Sequence, residues 1–586
     1  MTSRKTDRER PATSTYAATP GIPAAYAPPR PRGPIDLQLS RNEGRCPRGL
    51  SQPQLPQQEL ARYPDLAALR RELAGRWGLP PERALLTAGG DDVLLRCCLA
   101  SAASPGGAVL ATPTFEMIPR YLAMANVPMR CVPWPEGPFP TDALIEAGRD
   151  AAIAFVVTPN NPTGAVASPR DVERIARALP DTLVVLDAAY GELATNDPTP
   201  AALALPNVVV VRTLSKAWGL AGLRVGYALG SAAWIARLAA VGNPYPVSSA
   251  SAALARTRLA TGEEDMRAYA ERVADERADL SALLTRLGAR PAAPTEANFV
   301  LARELDPQWT VEALAALGIA VRAFPGNPEL ADAVRITVPG EAPSFTRLCA
   351  ALTSALAPAA LIFDLDGVLA DVSESYRVAI VETAAAHGVS LSNEEVAAAK
   401  RRGGANDDWE LTRALLAAHG VDVPLDEVTR TFEALYQGTQ AKPGLREREQ
   451  LCVSRPLLVS LKERWPLAIV TGRPRSDAQG FLERFNLQGL FRVVICREDA
   501  ALKPDPAPVR LALERLGLTR ASLERPAPAW MLGDTVDDVV ASRAAGVLPL
   551  GVLPPGEADP DLPTALLDAG AARVLDRTDA LEGLLP

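Results

Sequence analysis

Apolar positions in the first 360 residues gather into short β-branched runs separated by stretches of helical period. AAIAFVVT (151–158), TLVVLDA (182–188) and NVVVVRTLS (207–215) are continuous runs. They are too short for helices and suit strands buried on both faces of a parallel sheet. Between them, SPRDVERIARAL (168–179) spaces its apolar residues for one helix face, with Ser168 where an N-cap belongs. Alternating strands and helices predict an α/β layer fold. Residues 343–357 read as a closing amphipathic helix. After only Pro358, Ala359 and Ala360, a second series of strands begins: LIFDLDG from Leu361, PLAIVTG (466–472), RVVIC (492–496) and WMLGD (530–534). A long helical insert, about 372–464, separates the first two of these. The pattern predicts one domain over 35–357 and another over 361–586. With no Gly/Ser linker at the junction, the two are expected close together with limited freedom.

Composition narrows the picture. At 586 residues the chain exceeds one ordinary core. Its net charge of -8 gives no basic footprint for nucleic acid. No apolar run reaches the ~18 residues of a membrane helix. The tail, residues 1–34, is rich in Pro, Ala and Arg, is expected to be disordered, and starts without the apolar stretch of a secretory signal. The seven cysteines are scattered without CxxC spacing, which disfavours a disulfide framework or zinc cluster and fits a reducing cytoplasm.

Two sets of residues carry chemistry. In TLSKAWGLAGLRVGY (213–227), Lys216 follows a strand-like run and precedes Gly219 and Gly222, which allow close backbone approach to a ligand. A lysine fixed in this way can hold an aldehyde cofactor. Asp187 ends the apolar run LVVLD, and a carboxylate there needs a partner such as a protonated pyridine nitrogen. Asn161, in TPNNPTG, follows another strand and can hydrogen-bond a ring oxygen; Ser215 and Arg224 flank the lysine and can hold a phosphate.

In the second half, Asp364 and Asp366 leave the run LIF two residues apart, a spacing that puts both on one side. One can attack phosphorus while the other protonates the leaving oxygen. Thr471 ends a second strand and can hydrogen-bond the phosphoryl group, and Lys503 can neutralise it. Asp534, Asp537 and Asp538 follow a third strand and add carboxylates suited, with Asp364, to Mg²⁺.

The first set resembles the fold-type I, pyridoxal-phosphate-dependent aminotransferases, and within them the histidinol-phosphate aminotransferases, over about Leu37–Leu356. The motifs are YPDLAALRRELA (63–74), TAGGDD (87–92), PTFEM (113–117), NNPTG, VVLDAAY, the lysine segment, NPYPVSS (243–249), ANFVL (297–301) and VRITV (334–338). The resemblance implies a large cofactor domain plus a small domain, with Lys216 as the Schiff-base lysine. It implies Asp187 on the pyridine nitrogen, Asn161 and Tyr190 at the ring hydroxyl, and Phe115 stacked on the ring. Gly90, Asp91, Ser215 and Arg224 would hold the cofactor phosphate, with Tyr63 arriving from the neighbouring subunit of a homodimer. Arg335 would bind the anionic end of substrate. Ala188 stands where the family commonly has Glu, Pro246 where it has Asn, and Thr337–Gly340 departs from its VTVGT-like text.

The second set resembles the haloacid-dehalogenase-like hydrolases from Leu361 to about Gly551. This implies a Rossmann-like domain whose helical insert is a cap that selects substrate. Asp364 would be the nucleophile and Asp366 the general acid/base. Thr471 and Lys503 would bind phosphate, and Asp364, Asp366, Asp534 and Asp538 would form the Mg²⁺ site. The second aspartate favours phosphate esters over halides. The cysteine/histidine zinc loop of some histidinol phosphatases is missing: the two histidines, His387 and His419, lie in the insert.

Together the two sets lead to the expectation of a bifunctional enzyme. It would transfer an amino group from glutamate to imidazole-acetol phosphate and then remove the phosphate from histidinol phosphate. The substitutions near Lys216 leave open another amino-alcohol phosphate or aromatic 2-oxo acid, and a non-catalytic role for one half is the remaining alternative.

Overall fold

The β-branched runs are strands in the computed structural model, which describes residues 15–16, 25, 32–50, 57–401, 407–440, 442–518, 521–556 and 559–586. The expected disordered tail lies mostly outside the described residues; within it, Thr15–Tyr16 pairs antiparallel with Met129–Arg130. The chain divides into two compact units.

The first unit comprises residues 1–28, 39–305 and 322–342. Ala108–Thr112, Met129–Pro133, Ile153–Val157, Leu183–Asp187 and Val208–Thr213 run parallel in its large sheet. Val225–Leu229 joins the end of that set antiparallel and leads to Ala84–Ala88. The apolar residues of Leu183–Leu186 are wholly buried, each contributing about 1.5–3 kcal/mol. That burial is what carries the carboxylate of Asp187 inward at the strand's end. The helix expected after Ser168 is Pro169–Ala178, with a full capping box between Ser168 and Asp171. A smaller antiparallel sheet holds Phe299–Arg303, Val334–Thr337 and Arg322–Ala323.

The second unit comprises residues 29–38, 306–321 and 343–586. Its sheet is wholly parallel, in the order Phe491–Ile495, Leu467–Val470, Ala360–Phe363, Ala529–Gly533, Leu548–Val552, Val574–Leu575. Among the described residues the insert contains four helices within 376–437, and its ends return through Ala370–Asp371 paired with Gln450–Leu451. Helix Arg455–Arg464, expected inside the insert, follows that ribbon and leads into the sheet.

The junction at 358–360, expected to separate the domains, lies inside this second unit. Helices Pro307–Ala316 and Ala342–Leu356 both pack there. The fully buried Trp530 donates from Nε1 to Ser354 O at 2.6 Å, and its ring lies 5.0 Å from that of Trp309. Trp309 Nε1 donates to Ala355 O at 3.0 Å, and Arg573 pairs with Glu312 at 2.7 Å. No helix among the described residues is long and apolar enough to cross a membrane.

Candidate active sites

In the first unit, the parallel strands end along one edge, where ligands of open α/β sheets bind. A cavity of about 430 Å³ lies there, within the size range of small-molecule sites. Gly90, Asp91, Phe115, Asn161, Asp187, Tyr190, Ser215, Lys216, Arg224 and Arg335 all line it. Tyr63 does not: it is 79% exposed and stacks on Tyr245 with ring centroids 4.3 Å apart.

Burial pushes the Asp187 carboxyl up to about 6, against a backbone N–H from Ala189 that favours the charged form and with the Asp91 charge pushing the same way as burial. Lys216 and Arg212 offset only part of that rise, and a protonated pyridine ring in the cavity would supply a matching cation. Lys216 Nζ donates to Asn42 O at 3.0 Å and sits 5.5 Å from the Tyr190 ring centroid. The helix Gly90–Ser101 begins at the cavity, so its first backbone N–H groups face any anion held there. Arg224 donates to Asp91 at 3.1 Å, and Ser215 Oγ accepts from Thr213 Oγ1 at 2.9 Å. A helix terminus, a hydroxyl and a guanidinium form a cradle that fits a phosphate. The residues present therefore fit pyridoxal phosphate.

Three contributors escape sequence reasoning. Asn42, in a left-handed conformation at φ 55°, donates to Tyr190 Oη at 3.0 Å and accepts from Thr337 Oγ1 at 3.0 Å. Ser40 O accepts from Arg335 Nη2 at 2.7 Å. Arg322, opposite Arg335 on the neighbouring strand, also lines the cavity and pairs with Glu116 at 3.1 Å. Nothing in the local text marks Asn42 or Ser40. Arg322 carries a signal only once its strand is set against Arg335, whose Nη1 donates to Asn161 Oδ1 at 2.5 Å.

In the second unit, three neighbouring strands end at Phe363, Val470 and Gly533. Asp364, Thr471 and Asp534 are the next residues, so the register brings them out together at the carboxyl edge. Asp364, Asp534 and Asp538 offer oxygens within 4.8 Å of one another. Lys503 Nζ lies 2.8 Å from Asp364 Oδ1, is in closer contact with Asp538, and donates to Val470 O at 3.2 Å. Burial pushes Asp364 up to about 7; Lys503 pulls it down, while Asp538 and Asp366 push it further up. Burial, then Asp538 and Asp364, raise Asp534 well above the carboxylate range. Lys503 pairs with Asp364 and Asp538, Lys400 and Arg377 offset only part of the rise at Asp534, and an all-oxygen donor set suits a hard divalent cation. A side chain at Gly367 would strike the Asp534 carboxylate.

Asp366, expected among the metal ligands, is not part of that group. Arg473 holds its carboxylate instead, with Nε at 2.7 Å and Nη2 at 2.5 Å from Oδ1. The two-residue spacing that promised one side for both aspartates applies to a strand, and the strand stops at Phe363. Thr471 is buried and its Oγ1 accepts from Arg473 N at 3.1 Å.

Comparison with known proteins relates the chain to two families. The model of the aminotransferase class I and II family matches residues 41–355, more than half of the chain. That of the haloacid dehalogenase-like hydrolases matches residues 358–546. Histidinol-phosphate aminotransferase of Xanthomonas axonopodis pv. citri (strain 306) is 34% identical over 319 residues, covering 52% of this chain and 86% of its own length. Imidazoleglycerol-phosphate dehydratase of Phytophthora nicotianae is 45% identical over 202 residues, 33% of this chain; the chain spans only 43% of that relative. The solved structure of histidinol-phosphate aminotransferase from Sinorhizobium meliloti in complex with pyridoxal-5'-phosphate aligns over 55% of this chain and 91% of its own, with 26% identity and a TM-score of 0.48. The chain belongs to the class I and II aminotransferase family and carries a haloacid dehalogenase-like hydrolase domain in the same polypeptide.

Proposed function

We propose that the chain performs two consecutive reactions on one metabolite. The first unit transfers the amino group of glutamate to imidazole-acetol phosphate, and the second hydrolyses the resulting histidinol phosphate to histidinol. The observation that supports this most is the pairing of Arg322 and Arg335 directly opposite each other beside Lys216. Arg322 is held by Glu116 and Arg335 by Asn161 and Ser40, and two guanidiniums so held in one cavity favour an anionic substrate end. The fork of an arginine serves a phosphate and a carboxylate alike, so the phosphorylated ketone and glutamate can use one place in turn. The likeness to a histidinol-phosphate aminotransferase and to a protein named for imidazoleglycerol-phosphate dehydration supports a place in histidine biosynthesis.

Pyridoxal phosphate, when bound, supplies an aldehyde carbon that accepts amino groups and a ring that takes up electrons from a broken C–H bond. Asp187 would hold the proton on the ring nitrogen, and Asn161 and Tyr190 would hydrogen-bond the ring hydroxyl. Phe115 would pack on the ring face. Lys216 Nζ would carry the proton to and from the reacting carbon. Gly90, Asp91, Ser215 and Arg224 would anchor the phosphate end. The exposed Tyr63 supports a homodimer in which Tyr63 of each copy completes the other's cradle, and the cytoplasm is the proposed compartment.

In the second unit, an Asp364 oxygen would attack phosphorus as the bond to the leaving oxygen breaks and Asp366 gives that oxygen a proton. Water would then return a proton to Asp366 and displace phosphate from Asp364. Lys503 and Thr471 would hold the phosphoryl oxygens. Asp364, Asp534 and Asp538 would hold Mg²⁺, which supplies positive charge against the transferring phosphate. Purified protein should interconvert histidinol phosphate and 2-oxoglutarate with their partners and, separately, release phosphate from histidinol phosphate. Silence in both assays contradicts the reading.

A further inference from the structure

Arg473 follows Thr471 by two residues, and its side chain is 1% exposed. A buried guanidinium is costly unless every arm is matched. Two carboxylates match this one. Nη1 and Nη2 donate to the two oxygens of Glu449, each at 3.1 Å, and Nε donates to Asp366. Nη1 also donates to Tyr436 Oη at 3.2 Å. The guanidinium carbon lies 4.8 Å from the Tyr376 ring centroid and 5.5 Å from that of Phe481. Glu449 is itself buried and accepts from Ser375 Oγ at 3.0 Å and Tyr436 Oη at 3.1 Å. Tyr376 opens the first helix of the insert and Tyr436 lies in the last. Glu449 directly precedes the strand by which the insert returns.

Bidentate Glu449 takes two of the five guanidinium N–H donors. Here the remaining arm reaches out of the buried network to Asp366, whose side chain is 28% exposed. That carboxylate sits past the end of its strand, on backbone held by the bridge of Asp366 to Ala370. We propose that Arg473 is a positioning residue of the hydrolytic site. It fixes the Asp366 carboxylate beside Asp364, and through Glu449, Tyr376 and Tyr436 it ties that orientation to the seating of the helical insert. The proposal rests on the reading of this unit as a phosphomonoesterase with Asp366 as proton donor.

The proton matters most when the leaving oxygen is a poor leaving group. An alkyl phosphate needs it; p-nitrophenyl phosphate, whose phenolate departs unaided, needs it far less. A positioned acid contributes about 10²–10⁴-fold. In the full-length chain with Mg²⁺ at one fixed pH, R473Q should therefore lower kcat for ethyl phosphate about 10²-fold or more. The ratio of ethyl to p-nitrophenyl phosphate turnover should fall at least about tenfold. R473K, which keeps charge but lacks the planar fork, should fall between. D366N should show the same leaving-group pattern, and D366N/R473Q should lose little beyond D366N alone, as expected for residues acting as a unit. The thermal transition of the second unit reports whether the hydrolytic domain is folded. If R473Q fails to fold, E449Q, which leaves the Asp366 contact in place but loosens its support, should show the pattern in weaker form. Equal losses on both esters, a change confined to KM, or wild-type ratios in R473Q and E449Q overturn the proposal. An unmutated chain active on these esters but inert toward histidinol phosphate removes the substrate reading and leaves this test intact. An unmutated chain inert toward every phosphate monoester removes both.

Discussion

Replacing Asp187 by Asn keeps the shape of the side chain and removes its charge. The carboxyl sits at about 6 rather than its ordinary 3.8, with burial the largest cause. Between those values the folded chain keeps a proton that the unfolded chain has released. At about 1.36 kcal/mol per pH unit, that gap makes the ionised carboxylate cost the cofactor-free protein about 3 kcal/mol at neutral pH. Because the folded value is raised, stability of the cofactor-free protein should fall as pH rises from about 4 to about 6 and stay low above it. In D187N that slope disappears, and at pH 7.5 the unfolding free energy of the first unit should exceed wild type by up to about 3 kcal/mol. Transamination should fall about 10²-fold or more, because the ring nitrogen loses the partner that keeps its proton. Denaturant unfolding of cofactor-free wild type and D187N at pH 5 and 7.5, with steady-state transamination alongside, measures both effects. A D187N protein less stable than wild type at pH 7.5, or one that transaminates normally, would refute the reasoning.

The two chemistries should separate by mutation. K216A should abolish transamination and leave phosphate release, while D364N should do the reverse; loss of both in either variant contradicts the assignment. A chelator should stop phosphate release and Mg²⁺ restore it. Mg²⁺ affinity should weaken as pH drops below about 7, because Asp364, raised to about 7, then takes up a proton that competes with the metal. Calorimetric titration at pH 5.5 and 7.5 showing equal affinity counts against that site. W530A should destabilise the second unit by about 3–5 kcal/mol, read as the loss of its thermal transition, since Trp530 is wholly buried and hydrogen-bonded to Ser354.

The parallel strands were legible because a strand buried on both faces must be a continuous apolar run, and Leu183–Asp187 or Leu467–Val470 could be little else. Lys216, Asp187 and Asp364 were legible for a related reason: a charged residue ending such a run demands an explanation. Asn42 was not, because its partners Tyr190 and Thr337 stand 148 and 295 residues away. Arg473 reads locally as a surface arginine after a turn, and only the fold sets it against Asp366, 107 residues earlier. That packing crosses the 358–360 junction is likewise set by the fold and not by local text. Covalent order places helices Pro307–Ala316 and Ala342–Leu356 before the junction, while Trp309 and Ser354 meet Trp530 beyond it.

The central claim is that one polypeptide makes an amino-alcohol phosphate and then dephosphorylates it. The most direct measurement supplies the purified chain with imidazole-acetol phosphate, glutamate, pyridoxal phosphate and Mg²⁺, and follows 2-oxoglutarate, histidinol and inorganic phosphate together. The account predicts all three appearing in equal amounts, with histidinol phosphate accumulating in place of histidinol when D364N is used. Formation of 2-oxoglutarate without phosphate release, or no reaction at all with this ketone, would contradict it.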